Sequence, residues 1–339
     1  MDPKQKMHSN TLMRILVTLL IGLLWPLTAS AEENLRVAVI SDINGRYGST
    51  AYAPRVASAI EHIVAMAPDV VISTGDMVAG QQTSPHLSRT ELETMWRNFH
   101  HTVQQPLQNA NIPLVMTPGN HDASAYPGFE DERAMYADYH RTNPPLLPIE
   151  DGGNFPFYFS TTVGALTLIS VDATRRGPLD PGQRQWLAAE LDKETTTHTL
   201  VFGHLPLQPV GSGRERDVIT DPALEQLLRE GSVSAYLSGH HHVYYPGRRQ
   251  GIDMLSIGNL GGNQRTLTGT AQRTGFSFAI IELSSNGELS VASYLAPDYQ
   301  KTLDATSLPT AIGQGESRLQ RRDLPAVQTA TGSQPEAIP

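Results

Sequence analysis

Ser238-Gly239-His240-His241-His242 follows the short apolar run Val233 to Leu237 and breaks that run at a glycine. A run of this length that stops at glycine reads as a buried strand, so the histidines emerge at a strand end. In an extended backbone, residues i and i+2 point to the same side. His240 and His242 are therefore expected to present two imidazoles to one point, with His241 facing away. Paired imidazoles suit a metal ion, but a histidine cluster on a loop is also what a solvated turn looks like. The polar clusters upstream decide between the two.

The apolar run Leu35 to Ile40, interrupted only by Arg36, leads into Ser41-Asp42-Ile43-Asn44-Gly45, where Asn-Gly signals a turn. A helix is expected from about Ala53 to Ala67, with Pro54 in its first turn and Val56, Ile60, Ile63 and Val64 on one buried face. A second strand, Val70 to Ser73, ends in Thr74-Gly75-Asp76. A longer helix from about Arg89 to Gln108 precedes strand Ile112 to Met116, which ends in Thr117-Pro118-Gly119-Asn120-His121-Asp122. Then come a Pro/Gly-rich loop region around a short helix near Asp131 to Tyr139, and a hairpin of Phe157 to Thr161 with Ala165 to Val171. A helix after Pro181 leads to strand His198 to Phe202, which ends in Gly203-His204. The helix Pro222 to Glu230 then precedes the histidine triplet, and strands Ile252 to Ile257, Phe276 to Leu283 and Leu289 to Leu295 close the domain. Alternating strands and helices with polar groups at the strand ends are how an α/β site is assembled. Each of the five clusters could be a surface turn by itself. Their shared placement, mostly beside a glycine that permits a sharp turn, argues against coincidence.

The set resembles the calcineurin-like metallophosphoesterase superfamily, whose signature reads D-x-H, G-D, G-N-H-[D/E], G-H and G-H-x-H. The resemblance spans roughly Val37 to Leu295 and implies a four-layer α/β/β/α sandwich of two mixed β-sheets flanked by helices. It implies two divalent metal ions, Mn, Fe or Zn, and hydrolysis of phosphate mono- or diesters by a metal-bound hydroxide. Two dications about 3.5 to 4 Å apart can lower the pKa of such a hydroxide's parent water and clamp the phosphoryl oxygens. By position, Asp42 and His242 resemble ligands of the first metal, Asp76 the bridging carboxylate, and Asn120, His204 and His240 ligands of the second. His121, beside Asp122, resembles the residue that contacts the scissile phosphate or protonates the leaving group.

One block departs from the signature. Asn44 stands where the histidine of D-x-H is expected, and its carbonyl oxygen is a weaker ligand than imidazole for a borderline metal. Purple acid phosphatases also lack that histidine and use the tyrosine of G-D-x-x-Y, but Asp76 is followed here by Met77-Val78-Ala79. The alternative reading is therefore a degenerate, non-catalytic metal- or ligand-binding relative, and a further one is an envelope scaffold working through its tail. For substrate recognition the candidates are Arg214 with Arg216 and Arg248 with Arg249, either pair being able to hold a second acidic group.

The remaining expectations concern the ends of the chain and its composition. Lys4, Lys6 and Arg14, the apolar stretch Ile15 to Leu24 and Ala29-Ser30-Ala31 have the form of a cleaved signal peptide over residues 1–31. The uncharged span Ile15 to Ala31, with Pro26 inside it, is at the short limit for crossing a bilayer. A periplasmic or secreted protein is expected, with membrane contact only through an uncleaved signal. Removing the segment takes away three positive charges and one negative, so the formal charge falls from −9 to −11. Such an acidic chain is a poor binder of nucleic-acid polymers, which leaves a small phosphoester as the expected partner. With no cysteine in the chain, any metal is held by oxygen and imidazole nitrogen. Residues 32–300 are read as one domain. The Thr/Ser/Pro/Gln/Ala-rich remainder, 301–339, is read as a disordered tail whose deletion leaves activity unchanged.

Overall fold

The first strand of the described residues shows why two cores form. In the computed structural model, which describes residues 34–150, 152–193 and 196–325, β1 (Leu35–Ile40) is buried on both faces. Val37 and Val39 enter one apolar cluster and Ala38 and Ile40 the other, as the period of two requires. The expected signal segment, residues 1–31, lies outside the described residues.

α1 (Pro54–Met66) and β2 (Val70–Ser73) form where the sequence predicts them. The single helix expected from Arg89 to Gln108 is instead α2 (Arg89–Phe99), a π-helical turn (His100–Gln104) and α3 (Gln105–Asn109). Pro106 has no N–H to donate and its ring crowds the preceding turn, so the backbone widens until Gln105 N–H reaches His100 O. Next come β3 (Leu114–Met116), the short α4 (Asn120–Ala123), α5 (Glu130–Thr142), and the hairpin β4 (Phe159–Val163) and β5 (Leu166–Ser170). α6 (Pro181–Leu191), β6 (His198–Phe202), α7 (Pro222–Glu230) and β7 (Ala235–Ser238) bring the chain to the histidine triplet. β8 (Tyr245–Arg249), β9 (Ile252–Ser256), β10 (Ser277–Leu283) and β11 (Leu289–Leu295) follow. The sequence reading omits β8 because Pro246 and Gly247 depress strand propensity, yet it pairs with β9.

Three short strands end the described chain: β12 (Lys301–Thr302), β13 (Ala311–Ile312) and β14 (Leu319–Arg321). One sheet runs β12-β11-β10-β1-β2-β3 and the other β13-β14-β8-β9-β7-β6-β5-β4. Both are mixed: β1, β2 and β3 are parallel, as are β5, β6, β7 and β9, while β10 joins β1 antiparallel. Val37, Val39 and Ile72 share one buried cluster with Leu168, Val201 and Leu237 of the second sheet, and Leu187 of α6 and Leu224 and Leu228 of α7 belong to it. The first sheet's other face packs against Val56 and Ile60 of α1, Trp96 of α2 and Tyr136 of α5. The result is the expected four-layer α/β/β/α sandwich. All parallel strands deliver their carboxyl ends to the same region, where α/β proteins bind ligands.

The expected disordered tail does not hold for residues 301–325. Leu308, Ile312 and Leu319 are buried in the inter-sheet cluster, and β14 pairs with β8. Arg321 is buried, bonded to Asp323 and donating to the carbonyls of Thr306 and Leu308. These anchors are isolated in a polar segment, so they leave no periodic trace in the sequence. Truncation after Gln300 is accordingly expected to destabilise the fold by on the order of 5 kcal/mol from three lost apolar anchors. Thermal unfolding checks this, and an unchanged Tm would mean the segment is not part of the fold.

Candidate metal centre

Loops from both sheets nest against one another. Asp42 N–H donates to Gly75 O, and Ile43 and Asn44 N–H both donate to Asp76 O; Gly239 N–H donates to His204 O. Asp42, Asp76, His240 and His242 all take the left-handed backbone conformation, with φ between 47° and 64°. Non-glycine residues there are uncommon and are held by their surroundings. Two glycines make the nesting possible: a Cβ on Gly119 would lie 2.1 Å from Asp76 N, and one on Gly239 would lie 2.0 Å from Ser41 Oγ.

Asp76, His204 and His240 each offer one ligand atom, and these atoms all lie within 4.8 Å of one another. His204 Nδ1–H donates to Thr74 O (2.9 Å), which turns Nε2 inward. That Nε2 lies 2.9 Å from Asn120 Oδ1, 3.1 Å from His240 Nδ1 and 3.3 Å from Asp76 Oδ1. Asn120 Nδ2 donates to Gln81 Oε1 (2.7 Å), so its carbonyl oxygen is the atom facing His204. Four electron-pair donors thus meet in one buried space, which is stable only with a shared cation among them, a proton or a metal. Oxygen and imidazole nitrogen are the donor set for a borderline dication.

The second group is adjacent. His242 Nδ1–H donates to Asn263 O (2.7 Å), leaving Nε2 at 3.2 Å from Asp42 Oδ1. Asp42 also accepts from Ser41 Oγ and from His240 N–H. Burial pushes the Asp42 carboxyl up, but His242 and His204 outweigh it and hold the group below the usual carboxylate range. The same balance holds Asp76 far below that range, with His204 and His121 as its partners. Asn44 Nδ2 donates to Val78 O (3.3 Å), so only its carbonyl oxygen remains to offer a cation, and Asn44 lines one cavity with His242 and His121.

His121 N–H donates to Asp76 Oδ1 (2.9 Å), its Nδ1–H donates to Gly80 O (2.8 Å), and its Nε2 lies 3.8 Å from Asp76 Oδ2. Asp122 does not touch that imidazole. Its carboxylate accepts from Met77, Val78 and Gly119 N–H and so ties the Gly75-Asp76 loop to the Gly119 turn. Burial and the Asp76 charge nevertheless push it up to about 7.

Every site residue expected from the sequence therefore lies in this region, but strand alternation is not what orients His240 and His242. Left-handed residues split them, His240 towards His204 and His242 towards Asp42. His241, expected to face away, is fully buried: its Nδ1 accepts from Val210 and Gly211 N–H, and its Nε2–H donates to Asp217 O. Burial pushes it down to about 3, so it stays neutral and serves as a structural post. Gln81 and Asp217 are site neighbours that sequence reasoning misses. Asp217, ion-paired with Arg176 and Arg214, lies 3.9 Å from His240 Nε2, and no regular spacing marks it.

His204 makes the region pH-dependent. Burial alone would lower its pKa, but Asp76 beside it, with Asp42 and Thr74 O, carries it up to about 9. Without metal this proton stabilises the fold below the ordinary value of 6.5, a contribution lost as pH rises through about 9. A metal ion must displace it, so Mn²⁺ affinity is expected to rise between pH 7 and 9 with proton release. Titration in weakly buffered solution checks this, and binding with no proton released would remove His204 Nε2 from the donor set.

A family model described as calcineurin-like phosphoesterase matches residues 35–244. Transmembrane protein 62 of Mus musculus is 27% identical over 65% of this chain and 34% of its own length. Serine/threonine-protein phosphatase CPPED1 of Mus musculus is 26% identical over 57% of this chain and 60% of its own. The chain thus spans less than two thirds of either relative. Among solved structures, the purple acid phosphatase PPD1 from yellow lupin seeds superposes with TM-score 0.58 at 16% identity, over 78% of this chain and 52% of that one. The Danio rerio dimetal phosphatase does so with TM-score 0.50 at 16% identity, over 74% and 93%. At those identities the structures share the fold.

Proposed function

From the premise that this chain belongs to the calcineurin-like phosphoesterase family, we propose that it is a metal-dependent hydrolase of phosphate mono- or diesters. The observation carrying this reading is the meeting of Asp76, Asn120, His204 and His240 in one buried space beside Asp42 and His242. Asp76, Asn120, His204 and His240 are assigned to one metal, and Asp42, His242, Asp76 and the Asn44 oxygen to the other. Two such ions would polarise the phosphoryl group and activate a water. Thr74 O and Asn263 O accept from the far ring nitrogens and so orient the two imidazoles, as backbone carbonyls behind metal-binding histidines do. His121, fixed through Gly80 O, presents Nε2 to the leaving oxygen, where it can hold and deliver a proton. The likeness to a serine/threonine-protein phosphatase supports the monoester arm.

The test is metal analysis alongside p-nitrophenyl phosphate and bis(p-nitrophenyl) phosphate with added Mn²⁺. Two equivalents of metal and turnover of either ester are expected. Metal bound without turnover supports the non-catalytic binder, the reading that the neutral Asn44 favours. Export belongs to the same proposal, supported by the signal-like residues 1–31. The N-terminal sequence of the natural protein checks it, and a chain still starting at Met1 in the cytoplasm would refute it.

A further inference from the structure

The cavity shared by Asn44, His121 and His242 encloses about 520 Å³, and Arg46, Arg55, Arg214 and Arg265 line it with no Asp or Glu in its wall. In a chain of formal charge −9, four arginines around one acid-free cavity reverse the local sign and favour an anion. Two of them already have partners. Arg55 Nε–H donates to Leu260 O (2.6 Å) and its guanidinium lies 3.6 Å over the Phe276 ring, while Arg214 is 2.7 Å from Asp217. Arg46 is exposed and Arg265 half-buried, and neither has a carboxylate within ion-pair distance among the described residues. Arg265 Nε is buried with no hydrogen-bond partner. Because Arg265 lines the cavity and has no carboxylate partner, its guanidinium is the group that an incoming anion would pair with. Neither nearby carboxylate fills that need: Asp42 is engaged by His242 and Ser41, and Asp217 by Arg176 and Arg214.

Tyr47 places the subsite relative to the reaction. Its ring, 58% exposed, lies 4.9 Å from the His121 ring in the wall of the same cavity. The cavity therefore extends from the residue assigned to the leaving oxygen. The smaller cavity on the Asn120 and His240 side has mixed charge, because Asp217 stands among its arginines. Arg248 and Arg249, a candidate pair in the sequence, are neutralised by Asp253 and Glu225.

We propose that Arg265, with Arg46 at the rim, is a subsite for a second anionic group, a carboxylate or phosphate, carried by the leaving alcohol or phenol of the ester. The inference rests on the phosphoesterase reading for its place in the reaction, and on the acid-free wall for its chemistry.

Binding of phenylphosphonate and 4-carboxyphenylphosphonate to the metal-loaded protein, read by calorimetry, tests it independently of turnover. The carboxylated probe is expected to bind about tenfold tighter, as one charge-assisted pair allows. Arg265→Gln should erase that advantage and leave phenylphosphonate affinity unchanged; Arg265→Lys should keep part of it, and Arg46→Gln should reduce it less. Equal affinities in the unmodified protein overturn the proposal. So does an equal loss for both probes in Arg265→Gln, which would put Arg265 on the scissile phosphoryl group. The kcat/KM ratio of 4-carboxyphenyl phosphate to phenyl phosphate should follow the same order. If neither ester is hydrolysed, the phosphoesterase reading fails, and the probe affinities alone decide the subsite.

Discussion

Asp76→Ala is expected to abolish turnover and to strip metal from the protein in the same step. Asp76 is the carboxylate of the His204 and His240 donor group: it lies 3.3 Å from His204 Nε2, accepts the His121 N–H at 2.9 Å, and is almost fully buried. Removing it takes away the carboxylate that pairs with His204 Nε2 and that the proposed function assigns to both ions. A loss of at least about 1000-fold in kcat/KM is anticipated, about 4 kcal/mol of transition-state stabilisation. Alanine also leaves the His121 amide without an acceptor, so Asp76→Asn is the cleaner variant: it keeps the volume and an accepting oxygen but not the charge. Unimpaired turnover in a folded Asp76→Asn protein would rule out a bridging carboxylate at this position. Metal content of both variants separates lost chemistry from lost binding.

The second large effect is kinetic with metal retained. His121→Ala is expected to lower kcat by about 10²- to 10⁴-fold, the range for a positioned general acid, with metal content unchanged. The geometry argues for this split, because the His121 ring is committed to Gly80 O through Nδ1 and its Nε2 stands off from Asp76 at 3.8 Å. The loss should be larger for phenyl phosphate than for p-nitrophenyl phosphate, since the poorer leaving group needs the proton more. Metal lost together with activity would make His121 a ligand, and an equal loss on both esters would make it a phosphoryl contact.

The elements most legible in the sequence were those with a strong period or a hard stop. β1 is legible as a nearly unbroken apolar run and α1 through its one-faced apolar spacing and Pro54, and the five polar clusters follow strand ends as expected. Three features were not legible. The long second helix hid a π turn because only the steric demand of Pro106 against the preceding backbone creates it. The segment after residue 300 looked structureless because Leu308, Ile312, Leu319 and Arg321 are anchors without periodicity, each meeting a partner distant in sequence. The histidine triplet carries no local signal against an extended backbone, whereas in the fold the left-handed His240 and His242 direct its side chains.

Residue chemistry and local order, which the chain carries in itself, determined the α/β alternation, the family and the donor types available to a metal. Tertiary structure alone decided which donors share a space, that Asp122 clamps two loops, and that Arg265 stands unmatched in an acid-free cavity. The reason is physical: spacing fixes where a side chain leaves the backbone, but the field around it comes from residues far away in sequence, as His240 N–H donating to Asp42 across 198 residues shows.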